Sequence, residues 1–442
     1  MAIAERPFIT QVYPLGGRMG TRTSAAIDGW NLPNKRLFLA TPAGISGIQQ
    51  TALRRKDKLS NEVSYAVDTL PEFRETESND TPQKSQQIEL PHIINGTINR
   101  PGDVDVFQFT GRAGNELVAE VCARRLGSPL DSLLRLTDAS GQLLEWNDDH
   151  EDKESGLLTH HADSYLRARL PEDGVYYVHL ADSQRHGGEA YGYRLRLGAP
   201  RPDYALRLTP SSISVRAGGT ALVTVHAVRK DGFDGQIEVV LRNAPEGFAL
   251  SGARIPAGRD QVRMTLTAPQ TPLDKPVALQ LEGRTRIGGR TLTRPVMPAE
   301  DMMQAFSYRH LTPSQELMVM TIGGKRAGPP IEVVGQDPVR IPAGGTAEVR
   351  IRTPAHRMQR ELKFELRDPP KGVTLQDATM TAQGLTLLLQ AEPSAAQGGV
   401  ADNLIVEVFT ESPARRQNPD GQKKVRVPLG VLPAIPVEIA QR

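Results

Sequence analysis

Apolar and polar residues alternate in short runs along most of the chain. In 103–109 and in 191–197 every second residue is apolar over most of the run, and Tyr193, Leu195 and Leu197 fall on one face. A period of two residues is typical of half-buried β-strands. Glycine, proline, asparagine and aspartate interrupt these runs about every 8–12 residues, the spacing of a β-sandwich. One stretch, 298–311, favours a helix that connects two domains.

The length of 442 residues is too great for a single hydrophobic core and indicates three or four domains. The strand pattern predicts an all-β fold made of tandem β-sandwiches. The predicted segments are a β-domain at 1–70, a sandwich at 72–198, an immunoglobulin-like sandwich at 202–298, a connector at 299–330 and a second immunoglobulin-like sandwich at 331–440.

Two turn sequences occur in both of the last two predicted sandwiches. The run A-G-G-T-A at 217–221 recurs at 343–347, and each copy leads into an alternating strand. The proline–glycine turn at 244–248 has a counterpart in the second copy, a similar turn at 369–373. The shared order predicts that 331–440 repeats the unit at 202–298.

Charge and composition exclude several classes of partner. The net charge is +2 and basic residues are mixed with acidic ones, so no nucleic-acid partner is expected. No apolar run approaches the roughly 18 residues of a membrane span.

Cys122 is the single cysteine, and we expect it to pack as a small side chain in a sheet. The first residues do not resemble a secretory signal, so we expect that the natural chain has more sequence upstream.

Two short acidic stretches stand out as candidate ligands for a cation. They supply six oxygen-bearing side chains, namely Glu75, Glu77, Asn79, Asp80, Asp103 and Asp105. If 75–80 is extended, the side chains of residues 75, 77 and 79 project to one side. Carboxylate and amide oxygens suit calcium, which takes six to eight of them. Two ions would neutralise five carboxylates better than one would. The alternative is a solvated acidic linker followed by an ordinary polar turn.

A family resemblance appears across 72–198. The motifs are E-x-E-x-N-D at 75–80, G-D-x-D-x-F at 102–107, S-P-L-D-S at 128–132, N-D-D at 147–149 and D-G-x-Y at 173–176. In this order they resemble the bacterial pre-peptidase C-terminal domain, a family that includes the collagen-binding domains of clostridial collagenases. The resemblance implies a jelly-roll-like β-sandwich in which the six residues named above chelate calcium. It also implies an extracellular or periplasmic location.

The first 70 residues carry a second, shorter resemblance. The run P-x-G-G-x-x-G at 14–20, read as a turn, and the G-x-N-L element at 29–32 resemble the opening of immunoglobulin-like TIG domains. The glycines could suggest a phosphate loop, but no helix pattern and no Lys-Ser/Thr pair follows them.

Other clusters of potential ligands are weaker. Asn147, Asp148 and Asp149, with Asp163 nearby, form either a second cation site or, the preferred interpretation, a polar loop. The histidines have no zinc-binding spacing, and we expect them in loops without metal. They are His150, His160, His161, His179 and His186.

The sequence contains no recognisable catalytic motif. We find no nucleophile elbow, no S-x-x-K, no cysteine–histidine pairing and no glycine-rich loop that opens a helix. The prediction is therefore a non-enzymatic, calcium-binding multidomain protein for binding, adhesion or assembly at a bacterial surface. The alternative is the accessory region of a larger secreted peptidase or other hydrolase. A protein or polysaccharide ligand is expected, but no motif identifies it.

Overall fold

The computed structural model describes residues 6–44, 46–151, 161–303, 309–324, 331–335, 337–353, 362–381, 384–393, 399–413 and 424–440. These residues form β-strands joined by turns and loops, with two short 3₁₀ turns at Pro82–Lys84 and Arg124–Leu126 and no α-helix among them. The predicted all-β fold of tandem β-sandwiches is confirmed. None of the described residues forms a helix that is long and apolar enough to cross a membrane. The chain divides into two compact units, Met1–Arg201 and Pro202–Arg442.

The first unit begins with a small β-domain. Its strands are β1 (Phe8–Tyr13), β2 (Gly16–Arg18), β3 (Arg22–Trp30), β4 (Arg36–Ala40), β5 (Gly47–Thr51), β6 (Arg54–Arg55), β7 (Lys58–Leu59) and β8 (Val63–Asp68). They pair in the orders β1-β3-β4 and β2-β8-β5, with β6 and β7 as a separate hairpin. Residues 16–18 lie in a strand, so the turn predicted over 16–20 is wrong at its start and is confined to Met19 and Gly20. A Cβ on Gly16 would lie 2.0 Å from the carbonyl oxygen of Ala66, so glycine permits this close strand pairing.

Residues 72–198 form a sandwich of two five-stranded sheets. The strands are β9 (Glu72–Arg74), β10 (Gln86–Gln87), β11 (His92–Thr97), β12 (Val104–Gly111), β13 (Glu116–Cys122), β14 (Ser132–Asp138), β15 (Leu143–Asn147), β16 (Tyr165–Arg169), β17 (Gly174–Asp182) and β18 (Gly192–Gly198). One sheet has the order β10-β12-β17-β14-β15 and the other β16-β13-β18-β11-β9. Phe107 and Phe109 of β12 and Tyr193 of β18 are fully buried between the sheets.

The second unit begins with a larger β-structure. Its strands are β19 (Asp203–Thr209), β20 (Ser212–Arg216), β21 (Thr220–Lys230), β22 (Ile237–Arg242), β23 (Ala249–Ser251), β24 (Arg254–Ile255), β25 (Gln261–Thr267), β26 (Val277–Ile287), β27 (Arg290–Met303), β28 (Arg309–Pro313) and β29 (Leu317–Ile322). One layer has the order β19-β21-β25-β23 and the other β20-β29-β26-β22, and β27 pairs with both β26 and β19.

The helix predicted over 298–311 is wrong for the residues that the structure describes there. Ala299–Met303 of β27 pairs with Arg309–Pro313 of β28 as an antiparallel hairpin. The methionine-containing sequence has helical propensity, but strand pairing with neighbouring elements decides its conformation. Strand β29, which also lies in the predicted connector, pairs with β20 and β26. Residues 304–308 and 325–330 lie outside the described part of the chain.

The last segment repeats this pairing scheme. Its strands are β30 (Glu332–Val334), β31 (Val339–Pro342), β32 (Thr346–Arg352), β33 (Lys363–Arg367), β34 (Val373–Thr381), β35 (Gly384–Ala391), β36 (Ala401–Pro413), β37 (Lys424–Val431) and β38 (Ile435–Ala440). They pair as β30-β32-β35-β34 and β31-β38-β36-β33, and β37 pairs with β36. Strand order and direction match those of β19-β21-β25-β23 and β20-β29-β26-β22. The turn glycines Gly218 and Gly344 both have positive φ, 63° and 78°, which glycine adopts without strain.

Candidate metal site

The two acidic stretches meet at one end of the sandwich formed by residues 72–198. Residues 75–80 follow β9 in irregular backbone, Asp103 precedes β12, and Asp105 lies in β12. Two backbone hydrogen bonds fix the irregular segment. The amide of Glu75 donates to the carbonyl of Asn95 at 2.9 Å, and the amide of Val106 donates to the carbonyl of Asn79 at 3.0 Å. The segment is therefore held against the start of β12.

The carboxylates form two groups that share Glu77. One group is Glu75, Glu77 and Asp105, and the other is Glu77, Asp80 and Asp103; within each group one oxygen from every residue lies within 4.8 Å of the others. In an extended segment the side chains of residues 77 and 80 would point to opposite sides. Asp80 instead lies in the same group as Glu77, so strict alternation along 75–80 does not hold. All five acids predicted as ligands are nevertheless brought together. The sixth predicted residue, Asn79, is fully buried beside them in the chain.

Five side-chain oxygens at this end of the sandwich are buried without a hydrogen-bond partner. They are Glu75 Oε1, Asn79 Oδ1, Asp80 Oδ1, Asp103 Oδ1 and Asp105 Oδ1. A buried polar atom without a partner costs about 1–3 kcal/mol, and more when it is charged. Each of the five belongs to one of the six residues that the sequence predicted as metal ligands, so unmet bonding capacity is concentrated here.

The remaining oxygens of the buried acids are held by protein donors. The Tyr193 hydroxyl donates to Asp105 Oδ2 at 2.6 Å, and the Asn99 amide donates to Asp103 Oδ2 at 2.8 Å. The Asn99 side chain also donates to Glu77 Oε1 at 2.7 Å. Each of these bonds occupies one oxygen of its carboxylate, so the second oxygen remains available to another partner.

Burial and mutual repulsion oppose ionisation of the innermost acids. Burial, and then the charges of Glu77 and Asp103, raise the pKa of Glu75 to about 7. Burial raises the pKa of Asp105 to about 8, with further contributions from Glu75, Asp103 and Glu77 and an opposing one from the Tyr193 hydrogen bond. The pKa of Asp103 is also raised, chiefly by burial. A nearby cation stabilises the ionised form of carboxylates in such surroundings and lowers their pKa.

Several residues that shape this site had no signal in the sequence. The Gln86 side chain in β10 accepts from the Thr76 amide at 3.0 Å and donates to the Thr76 hydroxyl at 2.7 Å, which fixes the segment between the acids. Tyr193, Asn99 and Arg100 also contact the acids. Strand pairing brings Gln86 and Tyr193 here, whereas Asn99 and Arg100 lie shortly before Asp103 in the chain and belong to no motif that marks their role.

The weaker clusters do not form comparable groups in the described part of the chain. Asp163 is already bonded, accepting from the backbone amides of Ala123, Arg124 and Arg125 and from the Arg125 side chain at 2.7–3.1 Å. His179 lies in β17 and contacts Thr137, so its predicted loop position is wrong. Residues 152–160, which include His160, lie outside the described residues. Cys122 lies in β13, where burial raises the pKa of its thiol to about 12 and disfavours the reactive thiolate.

The geometry of the two acidic groups fits a bound cation. Oxygens that share one calcium ion at 2.3–2.6 Å lie up to about 5 Å apart, a span that the groups match. The donors are all oxygens, which favours a hard divalent cation over a soft one. The acidic cluster is therefore able to bind a metal ion.

Comparison with known proteins gives partial relationships. No protein-family model matches the chain. A probable subtilase-type serine protease of Deinococcus radiodurans is 38% identical over 126 residues, which cover 27% of this chain and 15% of that protein. The chain thus spans a small part of the length of this relative.

Two solved structures are also similar in part. The pre-peptidase C-terminal domain of a collagenase from Bacillus anthracis matches 27% of this chain and 98% of its own length, with 14% identity and a TM-score of 0.19. A marsupial T cell receptor matches 52% of this chain and 99% of its own, with 10% identity and a TM-score of 0.16. The relationship to known proteins therefore rests on the part of the chain that resembles the subtilase-type protease.

Proposed function

We propose that the acidic cluster binds calcium and so fastens residues 75–80 to the sandwich that follows. The observation that carries this proposal is the convergence of two carboxylate groups whose buried oxygens lack hydrogen-bond partners. Calcium accepts six to eight oxygens in a flexible shell, so it can use ligands from an irregular segment and a strand together. The ligands are Glu75, Glu77, Asn79, Asp80, Asp103 and Asp105.

Shared ligation by Glu77 permits one ion or two. Five carboxylates carry a charge of −5, which one calcium reduces to −3 and two reduce to −1. Fixing a backbone residue costs about 1–2 kcal/mol of conformational entropy, and ion binding would add to the two backbone hydrogen bonds that hold the segment. In this role the metal stabilises the junction ahead of the sandwich and has no catalytic task.

Calorimetric titration of the metal-depleted chain tests the site directly. We expect saturable binding of one or two calcium ions per chain and weaker binding of magnesium, which demands a stricter octahedral geometry. Asp103→Asn removes one charged ligand and should weaken calcium binding strongly. Asp149→Asn, an equal change at an exposed position of the same sandwich, is the matched control. Equal binding by the two variants would contradict the assignment.

The chain as a whole is proposed to be a non-catalytic accessory region of a larger secreted peptidase. The support is the 38% identity of 126 of its residues to a small part of a probable subtilase-type protease, together with the candidate metal site described above. Such a region would hold a protein or polysaccharide ligand near a catalytic domain outside this sequence. The location proposed for it is secreted, periplasmic or at the cell surface.

A binding or adhesion protein of the bacterial surface is the second candidate. Phe8 and Trp30 are paired across β1 and β3 with ring centroids 5.8 Å apart, and both side chains are exposed. Exposed aromatic side chains of this kind are suited to ligand contact, because they bury a large area at a small entropic cost.

Incubation of the purified chain with fluorescent casein and with insoluble casein separates these roles from catalysis. We expect no release of soluble peptides by the chain alone. Sedimentation with insoluble casein but not with chitin would support the accessory role. Hydrolysis of casein that a point substitution in this chain abolishes would overturn the non-catalytic assignment.

A further inference from the structure

Arg100 places a positive charge directly on the second acidic group. Its Nη2 donates to Asp80 Oδ2 at 2.8 Å and lies 3.4 Å from Asp103 Oδ1. Both acids belong to the group formed with Glu77. The guanidinium therefore lies close to the oxygens that would hold a cation there.

The contact neutralises this group only in part. Asp80 Oδ1 and Asp103 Oδ1 remain buried without a hydrogen bond, although the guanidinium is within ion-pair distance of the second. A divalent ion at 2.3–2.6 Å would engage such oxygens more closely and with twice the charge. Arg100 thus satisfies the acidic group less completely than a metal ion would.

The backbone of Arg100 is fixed, whereas its side chain is free to leave. The Asp103 amide donates to the Arg100 carbonyl at 3.1 Å, which closes the turn ahead of β12. A Cβ on Gly187 would lie 2.2 Å from that carbonyl, so the turn is also packed closely against the loop at 187. The Arg100 side chain is 57% exposed, so it can swing into solvent without disturbing the turn.

We propose that Arg100 is a tethered cation that competes with calcium for the group of Glu77, Asp80 and Asp103. The proposal rests on the calcium-binding function proposed above and concerns its regulation. In the metal-free protein Arg100 offsets the repulsion among the acids. When an ion binds, the guanidinium gives way to it. Arg100 therefore lowers the calcium affinity of the site and keeps the metal-free protein more stable than it would otherwise be.

This role predicts opposite effects of one substitution in the two states. Removing a positive charge a few ångströms from a cation site strengthens cation binding, because the two charges repel each other. Removing the same charge from the metal-free cluster leaves its carboxylates less neutralised. A purely structural role for Arg100 would instead weaken both the metal-free fold and calcium binding.

The experiment compares wild type, Arg100→Gln, Arg100→Lys and Arg112→Gln in the full chain. Arg100 precedes β12, and Arg112 directly follows the other end of this strand. Arg112 is exposed, so its substitution controls for the loss of one positive charge. Calcium affinity is measured by calorimetry, and thermal unfolding is followed in calcium and in chelator. We expect Arg100→Gln to bind calcium roughly tenfold more tightly, which equals about 1.4 kcal/mol. Its melting temperature should fall in chelator and its calcium-induced shift should grow. Arg100→Lys, which keeps the charge, should bind nearly as wild type does, and Arg112→Gln should match wild type.

The possible outcomes distinguish a failure of the Arg100 competition from a failure of the proposed calcium binding. Calcium binding by wild type with equal or weaker binding by Arg100→Gln overturns the competition and leaves the metal site intact. Tight binding by Arg100→Gln where wild type binds weakly supports the competition strongly. Absence of calcium binding by wild type and by all variants overturns both proposals.

Discussion

The Tyr193 side chain reaches across the core of the sandwich, and its hydroxyl donates a 2.6 Å hydrogen bond to Asp105 Oδ2. Tyr193 belongs to β18 in one sheet and Asp105 to β12 in the other, and both residues are fully buried. The bond fixes one carboxylate oxygen and leaves Asp105 Oδ1 directed to no other protein donor. The core thereby positions a residue of the proposed metal site.

Tyr193→Phe removes this donor while preserving the ring. Since the hydrogen bond lowers the pKa of Asp105, its loss should raise that pKa further and weaken calcium binding near neutral pH. Asp105 is mainly protonated at neutral pH in the metal-free protein, so we expect a loss of stability of about 0.5–1.5 kcal/mol, the usual range for a hydrogen bond between neutral groups.

Tyr176→Phe is the matched control for this substitution. Tyr176 lies in the same sandwich, and its hydroxyl donates at 2.7 Å to the carbonyl of Glu172. It should lose stability without a change in calcium affinity, measured by calorimetry. Equal calcium affinity of Tyr193→Phe and wild type would show that Asp105 needs no positioning by the core.

The contribution of Glu75 and Asp105 to the stability of the metal-free protein should fall as pH rises from about 4 to about 8. In the unfolded chain Asp and Glu lose their protons near pH 4. In the folded chain Glu75 and Asp105 keep theirs until about pH 7 and about pH 8. Over this interval the folded state binds more protons, so raising the pH favours unfolding.

Calcium should reverse this trend, because the ion replaces the protons. Its binding should release protons, and its affinity should rise between pH 6 and pH 8. Urea unfolding at several pH values, in chelator and in calcium, measures both effects. Asp149→Asn serves as the control variant. A metal-free stability that rises between about pH 4 and pH 8 in wild type and in this control alike would contradict the assigned pKa shifts.

Gly96 leaves the space that the Tyr193 ring requires. A Cβ at this position would lie 2.2 Å from the Tyr193 hydroxyl oxygen and 2.3 Å from the adjoining ring carbon. Gly96→Ala should therefore displace Tyr193, cost about 1–3 kcal/mol through overpacking, and weaken calcium binding through Asp105.

Gly174→Ala provides the comparison, because nothing lies within 4 Å of a Cβ at the start of β17. It should leave calcium affinity unchanged and alter the melting temperature little. If Gly96→Ala binds calcium as wild type does, the route from β11 through Tyr193 to the metal site is wrong.

Local patterns in the sequence predicted much of the fold and the acidic members of the site. The alternation in 103–109 predicted β12, and the acidic stretches predicted five carboxylates that the structure brings together. The repeated A-G-G-T-A turns correspond to glycines of positive φ at equivalent places. These features depend on residues close in the chain, which is why they were visible without a structure.

Features that depend on strand pairing and on the packing of the fold were not predictable in this way. Met302 and Met303 favoured a helix, yet pairing with β28 makes them a strand. Gly16 was assigned to a turn, yet its lack of a side chain serves a close approach to Ala66. Tyr193 and Arg100 reach the acids only because the sandwich and the turn ahead of β12 bring them there.

Thermal unfolding of the full chain in calcium and in chelator tests the central proposal most directly. At a free calcium concentration about 100 times the dissociation constant, binding stabilises the folded state by about 2.7 kcal/mol. For a sandwich of this size we expect one transition to rise by about 5–10 °C while the others stay in place. Asp103→Asn and Glu77→Gln should lose most of the shift, and Asp149→Asn should keep it. Identical melting of the wild-type chain in calcium and in chelator would contradict the proposal and leave residues 75–80 as an acidic linker.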